Sequence, residues 1–156
     1  MLQDRFELFD VSVSLICKCI HKIKTEKVLP YGLKSSHVLF LVQLGKSENG
    51  LTAAELSEVG HVDKAQISRV ITELTDKGYV KRQSLYRGQK YKNKLTLTET
   101  GRRVTKEIND MIAGILEYVS GSIPISDLEI FYRTLFTISN NLFSLTDEQT
   151  SGLSEA

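Results

Sequence analysis

The sequence has little cysteine, no long apolar run and no signal-like start, and each absence excludes a class of protein. Its two cysteines, Cys17 and Cys19, are too few and too close for a disulfide framework or a paired Cys-x-x-Cys zinc site. The longest apolar stretch, residues 38–44, is far shorter than the roughly 20 residues that span a bilayer. Acidic residues at positions 4, 7 and 10 stand where a secretory signal needs a basic start. We therefore expect a cytoplasmic protein with no membrane partner.

Motifs for catalysis and cofactor binding are also missing. The glycines stand singly at expected turns, so the sequence has no glycine-rich phosphate loop. Only Cys17 with His21, four residues later, has the spacing of a nucleophile beside a base, and no pair of carboxylates suggests a pocket. We therefore expect no enzymatic activity, no cofactor and no metal.

The charge is distributed unevenly, although the total is close to neutral. The formal net charge is only +1. Residues 61–106 carry twelve Lys and Arg against four acidic residues, a net +8, so the remainder carries −7. A basic middle between acidic flanks is expected when one segment faces nucleic acid and the rest does not.

Long segments with apolar stripes predict helices at both ends of the chain. Residues 2–27 carry apolar side chains at three- and four-residue steps, and the stripe is wide enough to pack on two sides. Thr98 and Ser126 are predicted caps of two further helices with similar stripes. This apolar surface exceeds what one subunit can cover, so we expect a homodimer. The predicted helical dimerisation region comprises residues 1–31 and 99–146, followed by a flexible tail over residues 147–156.

Two capping boxes in the middle of the chain predict two short helices joined by a tight turn. Thr52 with Glu55, and Asp63 with Gln66, have the spacing at which a cap and the third helical residue satisfy each other's backbone N–H groups. Periodicity alone leaves the apolar segment 35–44 as a buried helix or a buried strand. The helix starts that follow it favour the helix.

A basic hairpin follows the helix pair. Lys77 and Gly78 predict the end of the second helix, and alternation over residues 80–86 and 94–97 predicts two strands. The expected fold class is mainly α with a small β-hairpin wing, a winged helix-turn-helix domain flanked by long N- and C-terminal dimerisation helices. The predicted DNA-binding region covers residues 32–98, with the helix-turn-helix at about 51–77 and the wing at about 79–97.

The second short helix is predicted to enter the major groove of duplex DNA and to lead with its N-terminal residues. The amide of Gln66 suits a bidentate contact to adenine, although its capping role competes with base readout. The guanidinium of Arg69 suits a contact to guanine or to phosphate. The candidate recognition residues are Lys64, Gln66, Ser68 and Arg69.

The hairpin region, residues 77–98, carries seven basic residues and no acidic residue. Taken alone, this composition is equally typical of a solvated edge hairpin that lysines protect from aggregation. Beside a capped helix pair, it favours a DNA-binding wing. The candidate wing contacts are Arg82, Arg87, Lys90 and Lys92.

Four motifs in this order resemble the multiple antibiotic resistance regulator (MarR) family. They are LTAAEL at residues 51–56, QISR at 66–69, LTDKGYV at 74–80 and LTETG at 97–101. The resemblance implies a transcriptional regulator, by default a repressor, that grips an inverted-repeat operator as an obligate dimer. It also implies that a small-molecule effector releases the DNA.

The chain departs from the family pattern at two places. Residues 87–90 read Arg-Gly-Gln-Lys where the family usually has Asp followed by Arg at the wing tip. The minor-groove arginine is therefore Arg87, or it is replaced by Lys90. Lys34 and His37 stand at the start of the second helix, where the family usually has Thr and then Gln or Glu.

Several residues could sense an oxidant, a metal ion or a small ligand, and each also has a purely structural interpretation. Cys17 shares a helix face with His21, which suggests a redox-sensing variant of the regulator, whereas a cysteine in an apolar helix is ordinarily a small buried hydrophobe. Zinc binding through Cys17, His21 and His37 is disfavoured, because the sequence specifies no geometry for the three ligands. Tyr31 and His37 are candidates for lining a small-ligand effector pocket, with ordinary packing as the alternative.

The rival function is a winged helix used for protein interaction. The net +8 of residues 61–106 disfavours it. Salt discriminates the two functions, because DNA binding weakens steeply as the salt concentration rises.

Overall fold

The computed structural model describes residues 2–83 and 94–152, and of residue 2 and residues 147–152 it describes the backbone alone. The elements are α1 (Leu2–Val28), a short 3-10 helix (Leu29–Tyr31), α2 (Ser35–Lys46), α3 (Ala53–Gly60), α4 (Lys64–Asp76), β1 (Val80–Gln83), β2 (Lys94–Leu97), α5 (Glu99–Ser120) and α6 (Ile125–Gly152). The expected class, mainly α with one antiparallel hairpin, is confirmed. None of the helices in the described ranges combines the length and the apolar character needed to cross a bilayer.

Side-chain caps begin both short helices, as the sequence predicts. At α3, Oγ1 of Thr52 accepts the N–H of Glu55 at 3.2 Å, and the Glu55 carboxylate accepts the N–H of Thr52 at 2.6 Å. At α4, Oδ1 of Asp63 accepts the N–H of Gln66 at 2.7 Å. α4 ends just before Gly78, whose φ of 75° is the left-handed conformation that turns the chain out of a helix.

The chain divides into two compact units, residues 1–111 and 112–156. In the first unit, β1 pairs antiparallel with β2, from Val80 opposite Leu97 to Gln83 opposite Lys94. Leu51 forms a bridge to Leu95, with N···O distances of 3.0 and 2.7 Å, which ties the loop before α3 to the hairpin. The core of this unit includes Leu41, Leu56, Leu74, Leu95 and Ile108.

The second unit contains the last turns of α5 and the whole of α6. α6 begins at Ile125, one residue ahead of the predicted cap Ser126. The carbonyl oxygen of Pro124 accepts two N–H groups of the first turn, at 3.0 and 3.1 Å. The backbone stays helical to Gly152, beyond the start of the predicted tail. Residues 153–156 of that tail lie outside the described residues.

Candidate nucleic-acid interface

α4 has one buried face and one exposed face. The buried residues are Ile67, Val70, Ile71 and Leu74. Because a helix has 3.6 residues per turn, these positions share one side, and the opposite side is centred on Ala65, Arg69 and Thr72. The predicted recognition residues all lie in the exposed set: Lys64, Gln66, Ser68 and Arg69.

Ala65 and Thr72 are not among the recognition residues that the sequence predicts. Both are exposed and lie next to Arg69 on the face opposite the core. Selecting residues by their closeness to the helix start instead gave Lys64 and Gln66, which lie at the two edges of the exposed face. Counting one helical turn in each direction from Arg69 would have found both of the missed positions.

The side chain of Gln66 does not take part in capping. Its backbone N–H is bonded to Asp63, but within the ranges that the structure describes the Gln66 amide makes no return bond to the Asp63 backbone. The second capping box is therefore half formed. The exposed amide of Gln66 is available for a contact outside the chain.

Thr98 fixes the base of the wing. Its Oγ1 donates to the carbonyl oxygen of Gly78 at 2.6 Å and accepts the N–H of Gly101 at 3.0 Å. One hydroxyl thus joins the end of α4, the hairpin and the start of α5. Arg82 is exposed on β1. Three predicted wing contacts lie outside the described residues, namely Arg87, Lys90 and Lys92.

Behind the exposed face of α4, a polar network ties the helix to the start of α2. His37 is buried, with Nε2 2.9 Å from a carboxylate oxygen of Glu73 on α4. Burial holds the pKa of His37 below its ordinary value, against the attraction of Glu73. A hydrogen bond from Lys34 holds the pKa of Glu73 below its ordinary value. Glu73 was not predicted as a site residue, because its partners are 36 and 39 residues away and leave no local signal.

Tyr31 joins the 3-10 helix to α5 and to the start of the hairpin. Its hydroxyl donates to Glu107 at 2.6 Å, and its carbonyl oxygen accepts the hydroxyl of Tyr79 at 2.8 Å. The bond to Glu107 raises the pKa of Tyr31 and lowers the pKa of Glu107. Both effector-pocket candidates, Tyr31 and His37, therefore have bonded partners inside the first unit.

An open pocket of about 350 Å³ lies between α1 and the start of α2. Its lining residues are Cys17, Ile20, His21, Lys24, Ser35 and Ser36. Nδ1 of His21 lies 3.1 Å from Oγ of Ser35, which links the two helices across the pocket. Among the described residues, no cluster of three His, Cys, Asp or Glu side chains is placed to hold a metal ion.

A capped helix pair with an outward-facing second helix, followed by a hairpin tied to its base, defines a winged helix-turn-helix protein. A MarR family model matches residues 31–88 of the chain. A MarR transcriptional regulator from Methanosarcina mazei Go1 shares the fold with a TM-score of 0.72 and 25% identity, over 88% of this chain and 97% of that one. The resemblance to the MarR family that the four motifs indicate is confirmed by both comparisons.

Two further solved structures share the fold. A MarR family regulator from Listeria monocytogenes, in complex with a 26mer DNA, has a TM-score of 0.74 and 16% identity, over 91% of this chain and 88% of that one. CouR from Rhodococcus jostii RHA1, bound to p-coumaroyl-CoA, has a TM-score of 0.74 and 20% identity, over 83% of this chain and 90% of that one. No curated protein has a significantly similar sequence.

Proposed function

We propose that the chain is a sequence-specific DNA-binding transcriptional repressor that grips an inverted-repeat operator as a homodimer and releases it when a small ligand binds. The exposed face of α4 carries this proposal. One side of the helix is held in the core, while Arg69 on the other side makes no hydrogen bond or ion pair to the described residues. A helix presented in this way fits the major groove. The structurally similar Listeria regulator was solved with DNA, which supports the same use of the fold.

Homodimerisation is supported by apolar side chains that a single chain leaves uncovered. On α1, Phe6 is 70% exposed and Leu15 is 59% exposed. On α6, Phe131 is 48% exposed and Leu142 is 47% exposed. Monomeric soluble proteins rarely expose large contiguous apolar patches. A second copy of the chain covers the same surface on both partners and supplies a second α4 for a second half-site.

Release by a ligand is supported by the pocket between α1 and α2. A molecule seated there contacts the first turn of α2 at Ser35 and Ser36. The next residue, His37, is bonded to Glu73 on α4. A change at the pocket therefore has a short bonded route to the proposed recognition helix. CouR, which shares the fold, was solved with an acyl-CoA ligand.

The test is selection of duplexes from a random-sequence pool by the full chain at neutral pH, followed by titration of the enriched duplex at rising salt. We expect an inverted repeat with half-sites about one helical turn apart. The logarithm of the association constant should fall linearly with the logarithm of salt, with a slope of about −0.9 for each phosphate neutralised. Failure to enrich any duplex, or binding that is insensitive to salt, would favour a protein-interaction module instead.

Replacing Lys90 and Lys92 together with alanine is expected to weaken binding to the enriched duplex and to an unrelated duplex alike. Contacts from a wing to phosphate position the protein more than they specify sequence. The salt slope should flatten by about 0.9 for each phosphate that is no longer neutralised, as measured by fluorescence anisotropy at several salt concentrations. The control is Lys18→Ala with Lys27→Ala, two exposed lysines of α1 that carry the same charge. An unchanged slope in the wing variant would remove the wing from the interface.

A further inference from the structure

A buried histidine bridges the start of α2 and the proposed recognition helix. The imidazole of His37 is 1% exposed, and its Nδ1 accepts the backbone N–H of Lys34 at 3.2 Å. Its Nε2 lies 2.9 Å from Oε2 of Glu73. An ionised carboxylate can only accept hydrogen bonds, so Nε2 carries the proton and Nδ1 carries the lone pair. One neutral imidazole therefore caps the first turn of α2 and anchors α4.

The second link in the network, the ion pair between Lys34 and Glu73, is more exposed to water than the bond from His37. Nζ of Lys34 lies 2.7 Å from each carboxylate oxygen of Glu73. The Lys34 side chain is 64% exposed, and ion pairs that water reaches in this way contribute little to stability. The bond from His37 is shielded from water by comparison. His37 is thus the member of the network that fixes the position of α4.

We propose that neutral His37 is the positioning residue of the recognition helix, and that protonation of His37 lowers the affinity of the protein for DNA. The proposal rests on the proposed function. A protonated imidazole carries N–H on both nitrogens. Nδ1–H would then point at the N–H of Lys34, and two donors would face each other across the 3.2 Å that now separates a donor from an acceptor. Either the start of α2 or the contact with Glu73 must give way, so the buried polar contact that orients α4 against α2 is weakened.

The surroundings of His37 set the direction of the pH dependence. The charged groups that act on it are Glu73 on α4, Lys34 before α2 and Lys77 just beyond α4. Burial is the largest effect and holds the pKa of His37 below its ordinary value of 6.5. The unfolded chain therefore takes up the proton at a higher pH than the folded chain does. The contribution of neutral His37 is complete above about pH 6.5 and is lost as the pH falls below that value.

Of the other elements packed on α2, α1 places ionisable side chains near its start. α3 and β2 place buried leucines in the shared core, including Leu56 and Leu95. α1 presents His21 and Lys24 to the first turn of α2 at the pocket. His21 is therefore a second histidine close to the start of α2, and the experiment must separate it from His37.

The test compares the pH dependence of DNA affinity in the parent chain and in His37→Gln. The residue three positions after the cap is where a glutamine side chain accepts the N–H of a helix cap, and its amide can still donate to Glu73 without titrating. The probe is a fluorescein-labelled copy of the enriched duplex, measured by anisotropy from about pH 7.5 to about pH 5.5. We expect the parent to lose about fivefold in affinity, the equivalent of one helix cap, and His37→Gln to lose none of it.

Two matched variants assign the effect to one histidine. His21→Gln removes the imidazole at the pocket. His61→Asn removes the remaining histidine, and asparagine tolerates the φ of 48° at that position. Both variants should keep the pH profile of the parent. A profile in His37→Gln that matches the parent, or a flat profile in His21→Gln, overturns the proposal.

Two measurements without DNA test the role of His37 independently of the proposed function. Nitrogen NMR of the parent at neutral pH should show His37 with a proton on Nε2 and none on Nδ1. Thermal unfolding should lose stability below about pH 6.5 in the parent but not in His37→Gln. If no duplex is enriched, the proposed function fails while these two readouts still decide the role of His37. A proton on Nδ1 at neutral pH, or identical unfolding profiles, overturns it.

Discussion

Replacing Gly101 with alanine is expected to destabilise the protein by about 3 kcal/mol or more. A Cβ at this position would collide with the carbonyl oxygen of Tyr79, which is backbone and cannot swing aside as a flexible side chain does. The same oxygen accepts the N–H of Thr98 at 3.0 Å, so Tyr79 cannot retreat without breaking the bond that leads into α5. Either α5 lifts from the base of the hairpin or buried hydrogen bonds are broken.

Thermal unfolding followed by circular dichroism measures this effect. For a chain of this size, about 3 kcal/mol corresponds to a fall of roughly 10 °C in Tm. Gly114→Ala is the matched control, because a Cβ at that position of the same helix meets nothing within 4 Å. There, alanine should raise stability by about 0.5–1 kcal/mol through its better helix propensity. Equal melting temperatures for the two variants would contradict the close approach of α5 to the hairpin.

The local features of this fold could be predicted from sequence because their causes lie within a few residues. The capping box joins Thr52 and Glu55, which are three residues apart, and its two bonds form as expected. Gly78 has the left-handed φ that a glycine after a basic last turn indicates. Gly101 belongs to a family motif, but the reason for a glycine there is its close approach to Tyr79, 22 residues earlier in the sequence.

Features that depend on tertiary contacts could not be predicted in this way. The partner of His37 is Glu73, and the sequence between them contains no pattern that pairs the two side chains. The direction in which α4 packs decides which of its residues face outward. Ala65 and Thr72 are therefore candidates for DNA contacts only once the buried face of α4 is known. The backbone of α6 is helical to Gly152, and the flexible tail over residues 147–156 stays a prediction.

Arg69→Ala is expected to weaken binding of the enriched duplex by about 10- to 100-fold if the guanidinium reads a base, because a bidentate contact contributes about 1–3 kcal/mol. Arg69 stands near the centre of the exposed face of α4 and makes no hydrogen bond or ion pair to the described residues. Truncating it should therefore leave the fold and the proposed dimer intact. Light scattering should give twice the chain mass of 17.6 kDa for both the parent and the variant.

The pattern of the weakening identifies what Arg69 contacts. A contact to guanine predicts a larger reduction in affinity for the enriched duplex than for an unrelated one, with little change in the salt slope. A contact to phosphate predicts equal reductions for both duplexes and a slope that flattens by about 0.9. Arg5→Ala, which removes an exposed arginine from α1, controls for the change in net charge. If Arg69→Ala instead disrupts the dimer or lowers the unfolding temperature, Arg69 is structural, and the outer face of α4 is not the DNA-reading surface.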